Sequence, residues 1–151
     1  MFTHMHRCLI ALAAAAVVAL AVSASGHAAG GAAAVKTRHG KLGTFLVGPN
    51  GKTLYLFEKD KTKKSTCNDA CATAWPPLLT TGKPKAAGKA KKSLLGTTKR
   101  SDGKTQVTYK GHPLYYFVQD KKAGDTAGEG VDGFGAEWYV LAPNGKKIED
   151  D

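Results

Sequence analysis

Two tyrosine–aspartate pairs are the residues of this chain whose type and spacing could do chemistry. Tyr55 precedes Asp60 by the same interval that separates Tyr115 from Asp120. A phenol donates a hydrogen bond and a carboxylate accepts one, so four such groups converging in the fold would line a pocket for a cation or a polar ligand. The alternative is that the tyrosines fill a small core and the aspartates cap turns.

A cysteine pair is the second candidate. Residues four apart on a helical turn have Cα atoms about 6 Å from each other, which lies within the disulfide range. We therefore predict a structural disulfide between Cys67 and Cys71 that pins a short helix. A redox-active dithiol and a copper or zinc site are alternatives. Further metal ligands are scarce, because the mature body offers only His39 and His112, plus His27 if signal cleavage spares it.

A glycine-rich stretch from Gly124 to Gly135 could bind Ca²⁺ through carboxylate oxygens. The candidate ligands are Asp120, Asp125, Glu129 and Asp132. Their spacing does not match an EF-hand, and a polar loop with solvated acids is the alternative.

The sequence lacks the common catalytic constellations. It contains no Gly-x-Ser-x-Gly motif, no His-Glu-x-x-His motif and no phosphate-binding Walker-type loop. We therefore predict that the protein is not an enzyme, and we expect no cofactor.

The N-terminus has the features of a secretory signal peptide over residues 1–29. Arg7 precedes an apolar run over residues 9–22, and small residues follow it. The run is shorter than the roughly 18 residues of a membrane span, although an uncleaved anchor is the alternative. Cys8 lies before the apolar run, where it cannot become a lipid-bearing mature N-terminus. We predict a secreted or extracytoplasmic, non-lipidated protein with no transmembrane segment after cleavage.

The chain is strongly basic, with a formal net charge of +10. Outside the cell, the anions available to it are wall polymers, acidic glycans and phospholipid headgroups, which we expect as partners in place of nucleic acid. Residues 82–92 hold five lysines and no acid, which is typical of a flexible linker.

The elements that position the candidate residues come in two copies. Leu54–Asp60 returns as Leu114–Asp120, and Trp75 and Trp138 follow the two copies. Turn signals and alternating apolar residues predict a hairpin in each copy, with return strands over residues 52–58 and 114–118. We predict a mostly β fold in which two pseudo-repeated β-hairpin units form a small sandwich or barrel-like domain. One short helix near Cys67–Trp75, capped by Thr66, completes it.

The predicted organisation has five segments. They are a signal peptide (1–29), a flexible N-terminal segment (30–42), a first repeat unit (43–81), a Lys-rich linker (82–92) and a second repeat unit (93–148).

The repeated segment resembles a known bacterial family. Tyr55, Phe57 and Asp60 match the Y-x-(F/W/Y)-x-x-D motif of the secreted-repeat family of predicted lipoproteins, and Tyr115, Phe117 and Asp120 match it again. Further resemblance lies in residues 67–78, 106–115 and 124–128. The resemblance implies an exported, repeat-built protein without an established function, and it carries over no catalytic residue. This chain lacks a cysteine after its apolar run, which favours release or wall association.

The functional prediction is therefore an exported, non-catalytic cell-envelope module that binds an envelope component or a small ligand. The alternative is an extracytoplasmic redox or metal-binding accessory protein that uses Cys67 and Cys71.

Overall fold

The computed structural model describes residues 31–150, so the predicted signal peptide lies outside the described residues. The elements are β1 (Ala34–Gly40), β2 (Gly43–Val47), β3 (Tyr55–Phe57), α1 (Ala70–Ala74), β4 (Lys85–Ala86), a 3-10 turn (Lys92–Leu94), β5 (Leu95–Lys99), β6 (Thr105–Tyr109), β7 (His112–Pro113), β8 (Val131–Gly133) and β9 (Ala136–Val140).

These strands form three small sheets of three strands each. Their orders are β2-β1-β4, β3-β9-β8 and β5-β6-β7. All pairs are antiparallel except β1 with β4. The predicted mostly β fold with one short helix is confirmed, and the sheets do not close into a barrel. Within residues 31–150, neither α1 nor the 3-10 turn is long and apolar enough to cross a membrane.

The two repeats complete each other's sheets. β3 of the first repeat pairs with β9 of the second, in the register Tyr55↔Val140 and Phe57↔Trp138. Tyr55 and Tyr115 exchange both backbone hydrogen bonds, at 2.8 and 3.0 Å, where the two copies meet. Buried backbone groups need partners, so each copy depends on the other for its hydrogen bonds.

The second copy of the repeated segment is less regular than the sequence predicts. The expected return strand over residues 114–118 is reduced to a bridge at Tyr115, after the short β7. The amides of Tyr116 and Val118 donate instead to the carbonyls of Pro76 and Ala74, at 2.7 and 3.1 Å. The segment is thus held by the end of α1, a long-range contact that local alternation does not indicate.

Two segments expected to be flexible contain strands. β1 lies within residues 30–42, where Val35 is fully buried while Lys36 and Arg38 are exposed. β4 lies within the Lys-rich linker, whose Ala87 N–H donates to the carbonyl of Val35 in β1 at 2.9 Å. Amino-acid composition does not predict such pairing, because its hydrogen bonds are made by main-chain groups.

The helix also begins later than predicted. Its first residue is Ala70, after Asp69, whose side chain makes no capping bond. The predicted Thr66 cap is wrong, because the Thr66 hydroxyl donates to Asp60 at 2.6 Å.

The core consists of two clusters of buried side chains. The first is mainly aromatic and contains Phe45, Val47, Tyr55, Phe57, Cys67, Cys71, Trp75, Tyr115, Phe117, Trp138 and Val140. The second is mainly aliphatic and contains Ala33, Val35, Leu46, Leu54, Leu56, Leu78, Val107, Tyr109, Leu114 and Leu141. The alternation of side chains along β3 sends Tyr55 and Phe57 to the first cluster and Leu56 to the second.

Candidate functional site

The structure brings the four predicted tyrosines and aspartates together as two crossed pairs. The Tyr55 hydroxyl donates to Asp120 Oδ2 at 2.6 Å, and the Tyr115 hydroxyl donates to Asp60 Oδ2 at 2.6 Å. Each tyrosine is thus bonded to the aspartate of the other repeat. Both aspartates follow the same kind of turn, in which their amides donate to the carbonyls of Phe57 and Phe117. The pairs therefore tie the two repeats together.

The remaining aspartate oxygens are also occupied. Asp60 Oδ1 accepts from the amide and hydroxyl of Thr66, at 2.7 and 2.6 Å. Asp120 Oδ1 accepts from the amide of Ala127 at 2.9 Å. Each carboxylate therefore holds a turn and also accepts a hydrogen bond from a distant phenol.

All four side chains are withdrawn from solvent. Tyr55 and Tyr115 are fully buried, and Asp60 and Asp120 are 6% and 1% exposed. The clefts of about 920, 600 and 400 Å³ on the described surface are lined by other residues. A ligand could reach these groups only by displacing bonds that the protein already makes.

Burial sets the protonation of the crossed pairs. It raises the pKa of Tyr55 well above its ordinary range, and the bond to Asp120 raises it further. Burial likewise raises the pKa of Tyr115, and the charge of Asp60 adds to the effect. Burial also raises the pKa of Asp120, although the bonds from Tyr55 and Ala127 oppose it. The phenols therefore stay protonated and act as permanent donors.

A column of four stacked rings lies beside the pairs. Its order is Phe57, Trp138, Trp75 and Phe117, with ring centroids 4.0, 4.0 and 3.9 Å apart. Successive rings come from alternate repeats, so the column also joins the two copies. The sequence identified the recurring tryptophans but not their stacking, because the stack requires both copies to be folded.

The two tyrosines pack edge-on against the side of the column. Tyr55 meets Trp75 edge-on at 5.3 Å, and Tyr115 meets Trp138 edge-on at 5.1 Å. This geometry places the positive edge of one ring against the face of the other, which is a favourable arrangement for aromatic pairs. The phenol hydroxyls are thereby oriented toward the aspartates.

A buried arginine that the sequence reasoning missed supports one of the pairs. Arg100 is 4% exposed and donates to Ser65 Oγ at 3.0 Å and to Gln106 Oε1 at 2.8 Å. The Ser65 and Tyr115 hydroxyls lie 2.7 Å apart. A chain of bonds therefore runs from the guanidinium through two hydroxyls to Asp60. No local signal marks Arg100, because its role depends on residues distant in sequence.

The predicted disulfide is confirmed. Cys67 and Cys71 are bonded, with Cα atoms 5.2 Å apart. Both are buried in the aromatic cluster, and the carbonyl of Cys67 accepts a bond from Arg100 at 2.7 Å. The bridge therefore lies next to the Arg100 network and holds the short helix against the core.

The structure does not bring the four candidate calcium ligands into one site. Asp125 accepts from the amides of Lys121 and Lys122, and Glu129 accepts from the amide of Val140 at 2.7 Å. Asp120 is engaged in the crossed pair, and Asp132 is exposed on β8. Within residues 31–150, no three His, Cys, Asp or Glu side chains are grouped so that they could hold a metal ion.

Comparison with known proteins places the chain in a family. No curated protein and no solved structure matches it. A family model described as a secreted repeat of unknown function, Lipoprotein_15, matches residues 36–79 and 96–142. These two regions span more than half of the chain and correspond to the two copies of the repeated motif. The chain therefore belongs to this family of secreted repeats, as its tyrosine–aspartate motifs predict.

Proposed function

We propose that this protein is an exported, non-catalytic and non-lipidated module that binds an anionic component of the cell envelope. The observation that carries the proposal is the unequal burial of its charges. Every lysine except Lys52 is exposed. In contrast, Asp60 and Asp120 are buried, and Asp125 and Glu129 are half-buried. The surface is therefore more basic than the net charge of +10 suggests.

A basic surface of this kind attracts polyanions outside the cell. Exposed charges act over a distance of about 8 Å at physiological ionic strength, so several lysines facing one polymer act together. Such an attraction raises the local concentration of the partner and speeds association. The binding should weaken steeply as salt is added.

The internal bonding of the candidate groups supports a non-catalytic role. The hydroxyls of Tyr55 and Tyr115 donate their hydrogen bonds to Asp120 and Asp60, respectively. A general acid or base must reach a substrate, and these groups are buried with their partners in place. The structural role of these groups accounts for the repetition of the motif, and the exposed lysines remain to carry the function.

The test uses the form of the protein that its host exports. This protein is mixed with insoluble envelope material from the same host at low and at high NaCl concentration, and the bound fraction is measured after sedimentation. We expect binding at low salt and release at high salt. Absence of binding at low NaCl concentration, or a bound fraction that does not change with NaCl concentration, would overturn the proposal. The intact mass of the exported protein reports separately on signal cleavage and lipidation.

A redox or metal-binding accessory role is the second candidate, because the disulfide exists. Cys67 is fully buried and Cys71 is 6% exposed, so an external thiolate has little access to either sulfur. We therefore rank this role below polyanion binding. Rapid reduction by dithiothreitol in the folded protein, measured by mass after alkylation, would reverse the ranking.

A further inference from the structure

The outer edge of β5 is open to a partner. Within residues 31–150, β5 is an edge strand of its sheet and pairs only with β6. Hydrogen bonds from Lys110 N–H to Leu94 C=O and from Arg100 N–H to Lys104 C=O mark the two ends of the ladder. Pairing positions alternate in an antiparallel ladder, so Thr97 and Lys99 turn their amides away from β6.

Two basic clefts flank this edge and share the lining residues Leu95–Thr97. One, of about 370 Å³, is lined by Leu95–Thr97 together with Lys83 and Lys92. The other, of about 240 Å³, is lined by the same Leu95–Thr97 together with Lys63 and Lys110. We refer to the two clefts, on either side of the β5 edge, as the β5 groove. Among residues 31–150 no carboxylate lines either cleft, so the groove presents four lysines on both sides of Leu95–Thr97.

Lys110 is held in place by the backbone. It has a φ of 48° and Gly111 a φ of 78°, which form the two-residue turn between β6 and β7. Asn or Gly normally occupies the first position of such a turn, because other residues are strained there. The stem of Lys110 also lies against Gly145, where an added Cβ would come within 2.6 Å of it. A non-glycine residue in a strained backbone conformation beside a groove is a feature found at binding sites.

The lysines of the groove are not explained by edge protection alone. Charged residues on an edge strand prevent it from pairing with another chain, and Lys99 on β5 serves this purpose. The four groove lysines instead flank the strand from other segments of the chain. Their positions leave the uncharged centre of the edge, Gly96 to Thr98, accessible between them.

We propose that the β5 groove binds a linear phosphodiester polymer, with the lysines on its phosphates and the open amides of β5 as additional donors. This inference rests on the proposed function and specifies its binding surface. Lysine binds phosphate as a compact point charge, so four lysines with no carboxylate lining the same clefts match a polymer of phosphates in charge. A strand edge with lysines on both sides also suits a single chain better than a flat lipid surface.

The test compares two variants with the same net charge. The groove variant carries Lys63→Gln, Lys92→Gln and Lys110→Asn, the last because Asn tolerates the turn. The control variant carries Lys36→Gln, Lys41→Gln and Lys122→Gln, three exposed lysines outside the groove. Affinity for a soluble poly(glycerol phosphate) probe is measured by titration calorimetry over a range of NaCl concentrations, and melting temperature verifies folding.

We expect the groove variant to lose affinity by roughly fivefold per lysine, with a reduced salt dependence, while the control stays near wild type. A further variant, Thr97→Pro, removes one outward amide at an edge position that tolerates proline, and it should weaken binding without unfolding the protein. Equal losses in the groove and control variants would overturn the groove assignment and leave the proposed function standing.

Two other outcomes have distinct meanings. Equal or tighter binding of a polygalacturonate probe, or of phosphatidylglycerol vesicles, would overturn the phosphodiester assignment. Failure of the wild-type protein to bind any of the three at low salt would overturn the proposed function itself.

Discussion

Tyr55 and Asp120 lie 65 positions apart in the chain, yet the hydroxyl of one donates a 2.6 Å hydrogen bond to the carboxylate of the other. Tyr115 and Asp60 repeat this relationship with the roles of the two copies exchanged. Each tyrosine is therefore hydrogen-bonded to the aspartate of the other copy and not to that of its own copy. This arrangement makes the repeated tyrosine and aspartate a device that locks two units into one fold.

Removal of one phenol hydroxyl should destabilise the protein. In Tyr55→Phe, Asp120 Oδ2 loses its buried donor and the amide of Gly128 loses its acceptor. We expect the free energy of unfolding to fall by about 1–3 kcal/mol, the usual cost of an unsatisfied buried polar group. Urea denaturation measures the change. The control is Tyr139→Phe, whose hydroxyl bonds Glu137 at the surface; equal stability of the two variants would argue against the lock.

Glycine at position 128 should be required by the aromatic column. A Cβ there would approach the ring of Trp75 to 2.7 Å and that of Tyr55 to 2.9 Å. We expect Gly128→Ala to cost about 1–3 kcal/mol, because rigid rings in a packed core cannot move aside easily. Thermal unfolding and near-ultraviolet circular dichroism report stability and ring packing. Gly31→Ala has open space around it and serves as the control. An unperturbed Gly128→Ala spectrum would contradict the packing.

The burial of Asp120 should produce an unusual dependence of stability on pH. Its pKa is raised above the ordinary value of 3.8, so the folded state holds this proton more tightly than the unfolded state. The resulting stabilisation is present below pH 3.8 and is lost as the pH rises through the folded pKa. The stability of the wild type relative to Asp120→Asn should therefore decline as the pH increases above that ordinary value.

Urea denaturation of both proteins across this pH range measures that difference. Any stability that the Asp120→Asn variant loses through altered hydrogen-bond geometry is independent of pH. It therefore does not change how the stability difference between the two proteins varies with pH. A difference that stays constant or grows with pH would show that the folded pKa of Asp120 is not raised.

The disulfide should stabilise the protein modestly. The bridge closes a loop with a sequence separation of only 4 residues, so it restricts the unfolded chain little. The loop-entropy relation gives a stabilisation of about 2 kcal/mol for so short a loop. We expect the Cys67→Ala, Cys71→Ala double variant to remain folded, with its urea midpoint lowered accordingly. Dithiothreitol should lower the midpoint of the wild type but leave that of the double variant unchanged.

The local features of the chain were predictable from its residues. Alternating apolar side chains indicate strands such as β2, β5 and β6, and the four-residue spacing of Cys67 and Cys71 indicates their disulfide. The return strand over residues 114–118 and the Thr66 cap were predicted wrongly. In the first case the amides of Tyr116 and Val118 bond carbonyls near the end of α1, and in the second the Thr66 hydroxyl bonds Asp60, six residues earlier.

The sequence by itself determined that two copies of one aromatic and acidic motif must share a small, mostly β domain with a disulfide. Only the tertiary structure decided that Tyr55 meets Asp120 and that Tyr115 meets Asp60. It also decided that Arg100 is buried and that the edge of β5 lies among lysines from other segments. The reason is physical. Periodicity and spacing report interactions within a few residues, whereas hydrogen bonds and charge clusters depend on which distant segments the folded backbone brings together.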